Sequence, residues 1–152
     1  MKENDYHKYV IADGEFIGEF EKMYQHCHDP WLQDSVLHKS NQIVLNMLSG
    51  ECAYIKTLDI GCGKGRFTSL LNETLNSDID AIDISETAIN SAINNYPGIN
   101  FIADDFINTQ KLSGDYDLII ISQILWYVLD EIDTFFNKIK RLATQNVKVI
   151  FI

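Results

Sequence analysis

Residues Thr57 to Leu71 read TLDIGCGKGRFTSLL, in which three alternating glycines separate an apolar run from an amphipathic one. Glycine permits tight turns and lets a ligand approach the backbone closely. A helix that starts directly after such a turn presents free N–H groups and a partial positive charge. The stretch therefore predicts a strand, a turn and a helix that together bind a nucleotide-like or anionic group.

The spacing of the glycines separates the ligand classes that use such a turn. A phosphate-binding loop has the pattern GxxxxGK[ST], which this stretch lacks. A dinucleotide loop has the pattern GxGxxG, and here Arg66 stands where the third glycine would pack the helix on the strand. A nicotinamide dinucleotide is therefore the weaker alternative, and Asp59-x-Gly61-x-Gly63-x-Gly65 is the pattern to explain.

This loop resembles the first motif of the class I S-adenosylmethionine-dependent methyltransferases. In that family the glycine backbone lies against the methionine end of the cofactor, and the acidic residue, here Asp59, orders the loop and the cofactor's amino group. The resemblance implies an enzyme that uses S-adenosyl-L-methionine and releases S-adenosyl-L-homocysteine.

Further matches follow the next predicted strands. Asp83, in AIDIS, stands where the family has a carboxylate that accepts both ribose hydroxyls, and Asp104, in FIADDF, where an aspartate accepts a hydrogen bond from the adenine amino group. YDLIIISQILWYV resembles the fourth motif, which faces the reacting centre. The cofactor-binding residues that the resemblance implies are Asp59, Gly61, Cys62, Gly63, Gly65, Asp83, Ile84, Asp104, Asp105, Phe106, Ser122 and Gln123.

The segment DPW, which ends at Trp31, has a second resemblance. It is similar to small-molecule and nodulation-type N-methyltransferases, in which this N-terminal region covers the cofactor. The resemblance implies that Trp31 or Tyr24 closes over the methionine end of the cofactor. The alternative is an aromatic anchor for the N-terminal helices.

Catalytic candidates are few. Methyl transfer from a sulfonium is an in-line displacement, so positioning and exclusion of water supply much of the catalysis, and a general base helps chiefly a hydroxyl acceptor. Tyr127 and His28 are the candidates, although an aromatic residue in the position of Tyr127, beside Leu125 and Trp126, more often packs in the core. His26 and His28 form an HxH, but no further ligands have suitable spacing, so we predict no metal site.

The elements that must position these residues form an α/β pattern. Short β-rich runs alternate with helical ones, which predicts a doubly wound, Rossmann-like, mostly parallel sheet with helices on both faces. The five predicted strands are YIKTLDI, DIDAIDI, INFIAD, YDLIIIS and VKVIFI, and the helices between them are RFTSLLNETLN, SETAINSAINNY and DEIDTFFNKIKRLA.

The first fifty residues predict a helical segment in front of this sheet. Apolar residues at helical spacing predict one helix over Gly14 to Cys27 and, after Asp29-Pro30, a second from Val36 and Leu37 to Leu48. We expect a single domain over residues 1–152, in which 1–50 cover the cofactor and substrate and 51–152 bind the cofactor.

Composition narrows the partners. A formal charge of -10 argues against a nucleic-acid substrate, and SQIL in the fourth motif differs from the Pro-containing motifs of DNA methyltransferases. Three scattered cysteines suggest reduced thiols rather than a disulfide framework, and no apolar run is long enough to span a bilayer. We therefore expect a cytoplasmic protein that acts on a small molecule, with no membrane partner.

The family usually follows its fifth strand with an antiparallel hairpin, which is absent from this sequence. We expect homo-oligomers through the exposed edge VKVIFI. Two further functions stay open at this point: a truncated or non-catalytic S-adenosylmethionine-binding module, and an NAD-dependent oxidoreductase.

Overall fold

A five-stranded parallel sheet forms the centre of the computed structural model, which describes residues 6–32, 38–51 and 54–152. The helices are α1 His7–Val10, α2 Phe20–His26, α3 Lys39–Leu48, α4 Arg66–Thr74, α5 Glu86–Asn95 and α6 Ile132–Leu142. The strands are β1 Ile11–Ala12, β2 Glu15–Phe16, β3 Lys56–Ile60, β4 Asp78–Asp83, β5 Asn100–Ala103, β6 Tyr116–Ile121 and β7 Ala143–Phe151.

The strand order is β5-β4-β3-β6-β7, and every neighbouring pair is parallel. The chain runs outward from β3 through β4 to β5 and then returns to the other side of β3. This reversal confirms the doubly wound fold. It also creates a crevice at the carboxyl ends of β3 and β6, the place where open α/β sheets bind their ligands.

Both faces of the sheet are buried, as the apolar sequence of β6 predicts. Successive residues of β6 point to opposite sides: Ile119 and Ile121 pack with Phe135 and Ile139 of α6, whereas Leu118 and Ile120 pack on the side of α3 and α4. All four β6 side chains are at most 1% exposed. This strand therefore fixes the positions of the residues that follow it.

The N-terminal cover, residues 6–32, differs from the prediction of one helix from Gly14 to Cys27. Residues Ile11–Ala12 and Glu15–Phe16 pair as an antiparallel hairpin, and the helix is confined to Phe20–His26. Asp13 and Gly14 have φ angles of 51° and 83°. An Asp-Gly pair that adopts positive φ at both positions closes a two-residue hairpin, and this local preference wins over helical spacing.

The second predicted helix begins at Lys39 and ends at Leu48. Val36 and Leu37, its predicted first residues, lie outside the described residues. No helix in the described ranges is both long and apolar enough to cross a membrane. β7 pairs with β6 at one side of the sheet, and association through it stays a prediction.

Candidate cofactor-binding site

A cavity of about 370 Å³ lies at the carboxyl ends of the parallel strands, under the N-terminal cover. Most of the predicted site residues line it: Asp59, Gly61, Cys62, Asp83, Ile84, Asp104, Asp105, Phe106, Ser122, Gln123, Trp31 and Tyr127. Gly63, Gly65 and His28 do not line it. The sheet topology thus brings together side chains from four strand ends.

Asp59 lies at the floor of this cavity and is fully buried. Its carboxylate accepts hydrogen bonds from Thr68 Oγ1 at 2.7 Å and from Ser122 Oγ at 2.8 Å. These bonds connect β3 to α4 and to the residue after β6. Burial raises the pKa of Asp59 to about 6, against the opposing effect of the two hydroxyl donors.

The raised pKa of Asp59 predicts a pH dependence of stability in the absence of cofactor. The folded chain binds this proton more tightly than the unfolded chain, so the free energy of unfolding falls as pH rises between about 4 and 6. From pH 5 to 7.5 we expect Asp59 to account for a loss of about 1 to 1.5 kcal/mol. Denaturant unfolding at these pH values, with wild type and Asp59→Asn, measures it.

In the Asp59→Asn variant the free energy of unfolding should lose this part of its dependence on pH. The Asp78→Asn variant, at the exposed amino end of β4, should keep it. Asp83 contributes in the same direction, because burial also raises its pKa. Parallel profiles for wild type and Asp59→Asn would contradict the assignment.

Asp83 ends β4 and joins the two loops that border the cavity. One carboxylate oxygen accepts from the backbone N–H of Gly63 at 2.8 Å, and the other accepts from the N–H of Ser85 at 2.9 Å. Each oxygen keeps a second lone pair, which is the requirement for accepting two vicinal hydroxyls. Asp83 therefore combines ordering of the glycine loop with a free acceptor edge.

The three glycines of the loop have different roles. A Cβ at Gly61 would lie against the side chain of Ile124 and 2.9 Å from the Ser122 carbonyl oxygen, at a φ of +83°. A Cβ at Gly65 would lie 2.7 Å from the ring of Phe101, so this glycine serves the packing of α4 and β5. Gly63 donates its N–H to Asp83.

The loop after β5 supplies Asp104 and Asp105. Asp104 accepts from Thr109 Oγ1 at 2.8 Å and pairs with Lys111 at 3.2 Å, and these bonds hold the pKa of Asp104 below its ordinary value. The Asp105 carboxylate instead accepts the N–H of Ile107 at 3.0 Å and so shapes the turn. Asp104 is thus ionised at neutral pH and borders the cavity.

Lys138 of α6 stabilises this same loop through hydrogen bonds to its backbone. Its side chain is buried, its ammonium donates to the carbonyl oxygens of Ile107 and Thr109, and it lies 5.5 Å from the centre of the Phe106 ring. The sequence analysis did not identify Lys138, since nothing local distinguishes it from the exposed lysines of an amphipathic helix.

Ser122 and Gln123 leave β6 at the centre of the cavity wall. Ser122 is held by its bond to Asp59, and its N–H donates to Ile60 O at 2.9 Å. Gln123 has a φ of 56°, and its N–H donates to Ile152 O at 3.1 Å. A non-glycine residue in this region of φ is uncommon and often lies at a functional site.

The cover contributes aromatic side chains. Trp31 and Tyr24 line the cavity together with Phe16 and Phe20. Burial, followed by the nearby Asp83, raises the pKa of Tyr24 well above its ordinary value, while a hydrogen bond from Trp31 acts in the opposite direction. Tyr24 is therefore a neutral phenol beside the Asp83 carboxylate.

The two catalytic candidates have different surroundings. The Tyr127 ring lies 5.4 Å from that of Phe16 and 4.8 Å from that of Phe20, and burial raises the pKa of its hydroxyl. His28 is exposed and lies off the cavity wall. In the described part of the chain no three His, Cys, Asp or Glu side chains cluster in a way that could hold a metal ion.

Several lining residues were absent from the sequence-based set. Among them are Phe16, Ile17, Phe20, His38, Asn41, Arg66, Ile124, Val128 and Glu131. Arg66 was noted only as a mismatch to a dinucleotide loop, and the structure places it on the cavity wall as the first residue of α4. His38 and Asn41 carry no local signal.

The carboxylates that line the cavity fit S-adenosylmethionine. Its ammonium and sulfonium are cationic, its ribose offers two hydroxyls and its adenine offers an amino group, and the cavity presents the carboxylates of Asp59, Asp83 and Asp104. The model of a family described as "Methyltransferase domain" matches residues 53–152 of this chain. The chain belongs to the class I S-adenosylmethionine-dependent methyltransferases.

Curated relatives of this methyltransferase domain are named for different kinds of substrate. It is 29% identical over 145 residues to the release factor glutamine methyltransferase of Fusobacterium nucleatum, covering 91% of this chain and 40% of that protein. It is 26% identical over 147 residues to the ubiquinone biosynthesis O-methyltransferase of Rickettsia bellii, covering 87% and 60%. The chain therefore spans only part of the length of these relatives.

Solved structures confirm the fold of the methyltransferase domain. The N-methyltransferase NodS from Bradyrhizobium japonicum WM9, in complex with S-adenosyl-l-homocysteine, aligns with a TM-score of 0.67 and 19% identity, over 96% of this chain and 69% of that one. A TehB-like SAM-dependent methyltransferase from Corynebacterium glutamicum aligns with a TM-score of 0.66 and 21% identity, over 86% and 70%.

Proposed function

We propose that this domain transfers a methyl group from S-adenosylmethionine to an oxygen or nitrogen of a small-molecule acceptor. The observation that carries the proposal is that Asp59, Asp83 and Asp104, which lie at or directly after the carboxyl ends of three different strands, border one cavity under an aromatic cover. The three carboxylates are far apart in the sequence and lie on different strands or loops. Each of them has a counterpart among the groups of the cofactor.

When bound, S-adenosylmethionine supplies a methyl group on a positively charged sulfonium. The chain's part is to position and to exclude water. Asp83 and Asp104 would hold the ribose hydroxyls and the adenine amino group, and Asp59 would order the loop at the methionine end. Phe16, Phe20 and Tyr127 form an apolar wall on the cover side.

Tyr127 would act as a hydrogen-bond donor or as part of the wall, because a phenol is protonated at neutral pH and burial raises the pKa of this one further. An amine acceptor in its neutral form attacks without a base, whereas a hydroxyl acceptor needs one. His28 stays a candidate for this role only with a movement that brings it to the cavity.

A small acceptor is favoured over a protein or a nucleic acid. The cover lies over the cavity and carries rings on its inner side, and the net charge of -10 disfavours a polyanion. The Rickettsia relative is named for ubiquinone biosynthesis, and the Fusobacterium relative for release factor. Free thiols at Cys27 and Cys62 support a reducing, cytoplasmic location.

The test begins with calorimetric titrations of the domain with S-adenosylmethionine, S-adenosylhomocysteine and, as a control, NADH. We expect micromolar dissociation constants for the first two, about -8 kcal/mol, and no binding of NADH. Tight binding of NADH alone would favour an oxidoreductase and overturn the proposal.

The second part supplies matched acceptors that differ only in a hydroxyl, an amine or a thiol, and measures formation of S-adenosylhomocysteine. Turnover with an oxygen or nitrogen acceptor supports the proposal. Cofactor binding with turnover only on a protein such as a release factor would assign a macromolecular substrate. Binding with no turnover on either kind of acceptor would favour a non-catalytic cofactor-binding module.

A further inference from the structure

The N-terminal cover has an apolar cluster of its own. Val10, Met23 and Cys27 are 6%, 0% and 7% exposed, and they belong to a cluster with aromatic rings of the same segment and with Tyr127 of the α/β core. This cluster holds the cover together and meets the α/β core at Tyr127, whose ring lies against Phe16 and Phe20. The position of the cover over the cavity therefore depends on contacts that reach across to the α/β core.

One such contact is made by Glu21 of α2 at the first turn of α5. One carboxylate oxygen accepts from Ser85 Oγ at 2.7 Å and from the N–H of Thr87 at 3.1 Å, and the other accepts from Thr87 Oγ1 at 2.5 Å. Ser85 Oγ in turn accepts the N–H of Ala88 at 3.1 Å, so Ser85 is the N-cap of α5. A carboxylate at this end of a helix also interacts favourably with its dipole.

The contact leads directly to the ribose side of the cavity. Ser85, which donates to Glu21 through its hydroxyl, donates its backbone N–H to Asp83, and Asp83 accepts the N–H of Gly63. Glu21 itself does not line the cavity. Three consecutive hydrogen bonds thus connect the cover to the glycine loop.

Electrostatics make this contact firm at neutral pH. Burial opposes ionisation of Glu21, but the hydrogen bonds from Thr87 and Ser85 outweigh it and lower the pKa to about 2. A lowered folded-state pKa stabilises the docked cover above about pH 4.5, and this contribution is lost as pH falls toward 2. The charge of Glu21 also raises the pKa of Asp83.

We propose that Glu21 is a positioning residue that holds the cover closed on α5 and orients Asp83, so that it sets the dissociation rate of the cofactor without touching it. The inference rests on the proposed function, since it needs a cofactor in the cavity. Glu21 connects Phe20 and Tyr24, its near neighbours on α2 that line the cavity, to the end of β4, which is proposed to hold the ribose.

The experiment measures release of S-adenosylhomocysteine by stopped flow from wild type, Glu21→Gln, Thr87→Val and the double variant. We expect Glu21→Gln to raise the dissociation rate about tenfold, the size of one charge-assisted hydrogen bond. Thr87→Val should give a smaller rise, and the double variant should fall short of the product of the two, because both remove the same contact. Glu19→Gln, on the same turn and paired with exposed Lys22, is the matched control and should release at the wild-type rate.

Two further measurements separate a positioning role from general destabilisation. Hydrogen exchange should quicken over residues 20–26 in Glu21→Gln and stay unchanged in β3 and β6. The pH midpoint of S-adenosylhomocysteine affinity should move lower, because Asp83 loses a negative neighbour. The conservative variant Glu21→Asp should also differ from wild type in both measurements, with faster hydrogen exchange over residues 20–26 and a lower pH midpoint. Its shorter side chain cannot reach Thr87.

A wild-type rate of release in Glu21→Gln would overturn the inference while leaving the proposed function intact. If wild type itself binds no S-adenosylhomocysteine, the proposed function fails, and hydrogen exchange in Glu21→Gln against Glu19→Gln still decides whether the contact holds the cover. If Glu21→Gln does not fold, Thr87→Val carries the test with the same expected direction.

Discussion

Replacing Asp83 with alanine is expected to lower the affinity for S-adenosylhomocysteine at least 100-fold. The substitution removes the carboxylate proposed to accept two ribose hydroxyls, and each charge-assisted hydrogen bond contributes about 1.5 to 3 kcal/mol. It also leaves the N–H groups of Gly63 and Ser85 without their acceptor, which loosens the glycine loop. Calorimetric titration of wild type and variant at one pH measures the loss.

Two variants show which part of the loss is direct. Asp83→Asn keeps one acceptor oxygen and most of the volume, so it should bind more tightly than Asp83→Ala but less tightly than wild type. Asp78→Ala removes a carboxylate from the exposed amino end of the same strand and should bind as wild type does. If the Asp83→Ala variant binds S-adenosylhomocysteine within threefold of the wild-type affinity, Asp83 is not part of the cofactor site.

Gly61→Ala is the substitution with the largest expected effect on stability. A Cβ at this position would lie 2.9 Å from the carbonyl oxygen of Ser122, which is part of backbone fixed by the bond from Ser122 N–H to Ile60 O, and would also meet the side chain of Ile124. The φ angle of +83° is costly for any L side chain. Strain and overpacking together predict a loss of about 2 to 5 kcal/mol in the free energy of unfolding.

Gly14 offers a matched control for this prediction. It has the same φ of +83°, but no heavy atom lies within 4 Å of the position its Cβ would take. Gly14→Ala therefore reports the conformational cost alone, about 1 to 2 kcal/mol. Denaturant unfolding of both variants isolates the steric part as the difference between them. Equal losses would mean that the backbone around Gly61 relaxes to admit a methyl group.

The strands of the parallel sheet and the aspartates near their carboxyl ends were predictable because each carries a local signal. β6 is buried on both faces and so has a nearly uninterrupted apolar sequence, and Asp59 and Asp83 lie within or end the predicted strands β3 and β4. Parallel strands place their carboxyl ends at one edge, so the order of residues along the chain was enough to bring these carboxylates together. The resemblance to a family then supplied the ligand.

The cover was harder to predict because its residues fit two local structures. Phe16 and Ile17 have helical spacing with Phe20, but Asp13-Gly14 closes a hairpin, and Gly18, at a φ of 60°, separates that hairpin from α2. The contacts that position the cover are equally invisible to local patterns, since Glu21 and Thr87 are 66 residues apart. Such pairs become apparent only when the sheet has fixed where α5 begins.

The buried Lys138 makes the conformation of the loop after β5 dependent on α6, which lies more than twenty residues further along the sequence. The loop's carbonyl groups at Ile107 and Thr109 receive their donor from α6, and the Phe106 ring packs over the same side chain. Residues 104–109 would consequently not keep this conformation outside the present fold. Grafting them into another sheet, or dividing this chain before α6, would separate the loop from the ammonium group that gives it its shape.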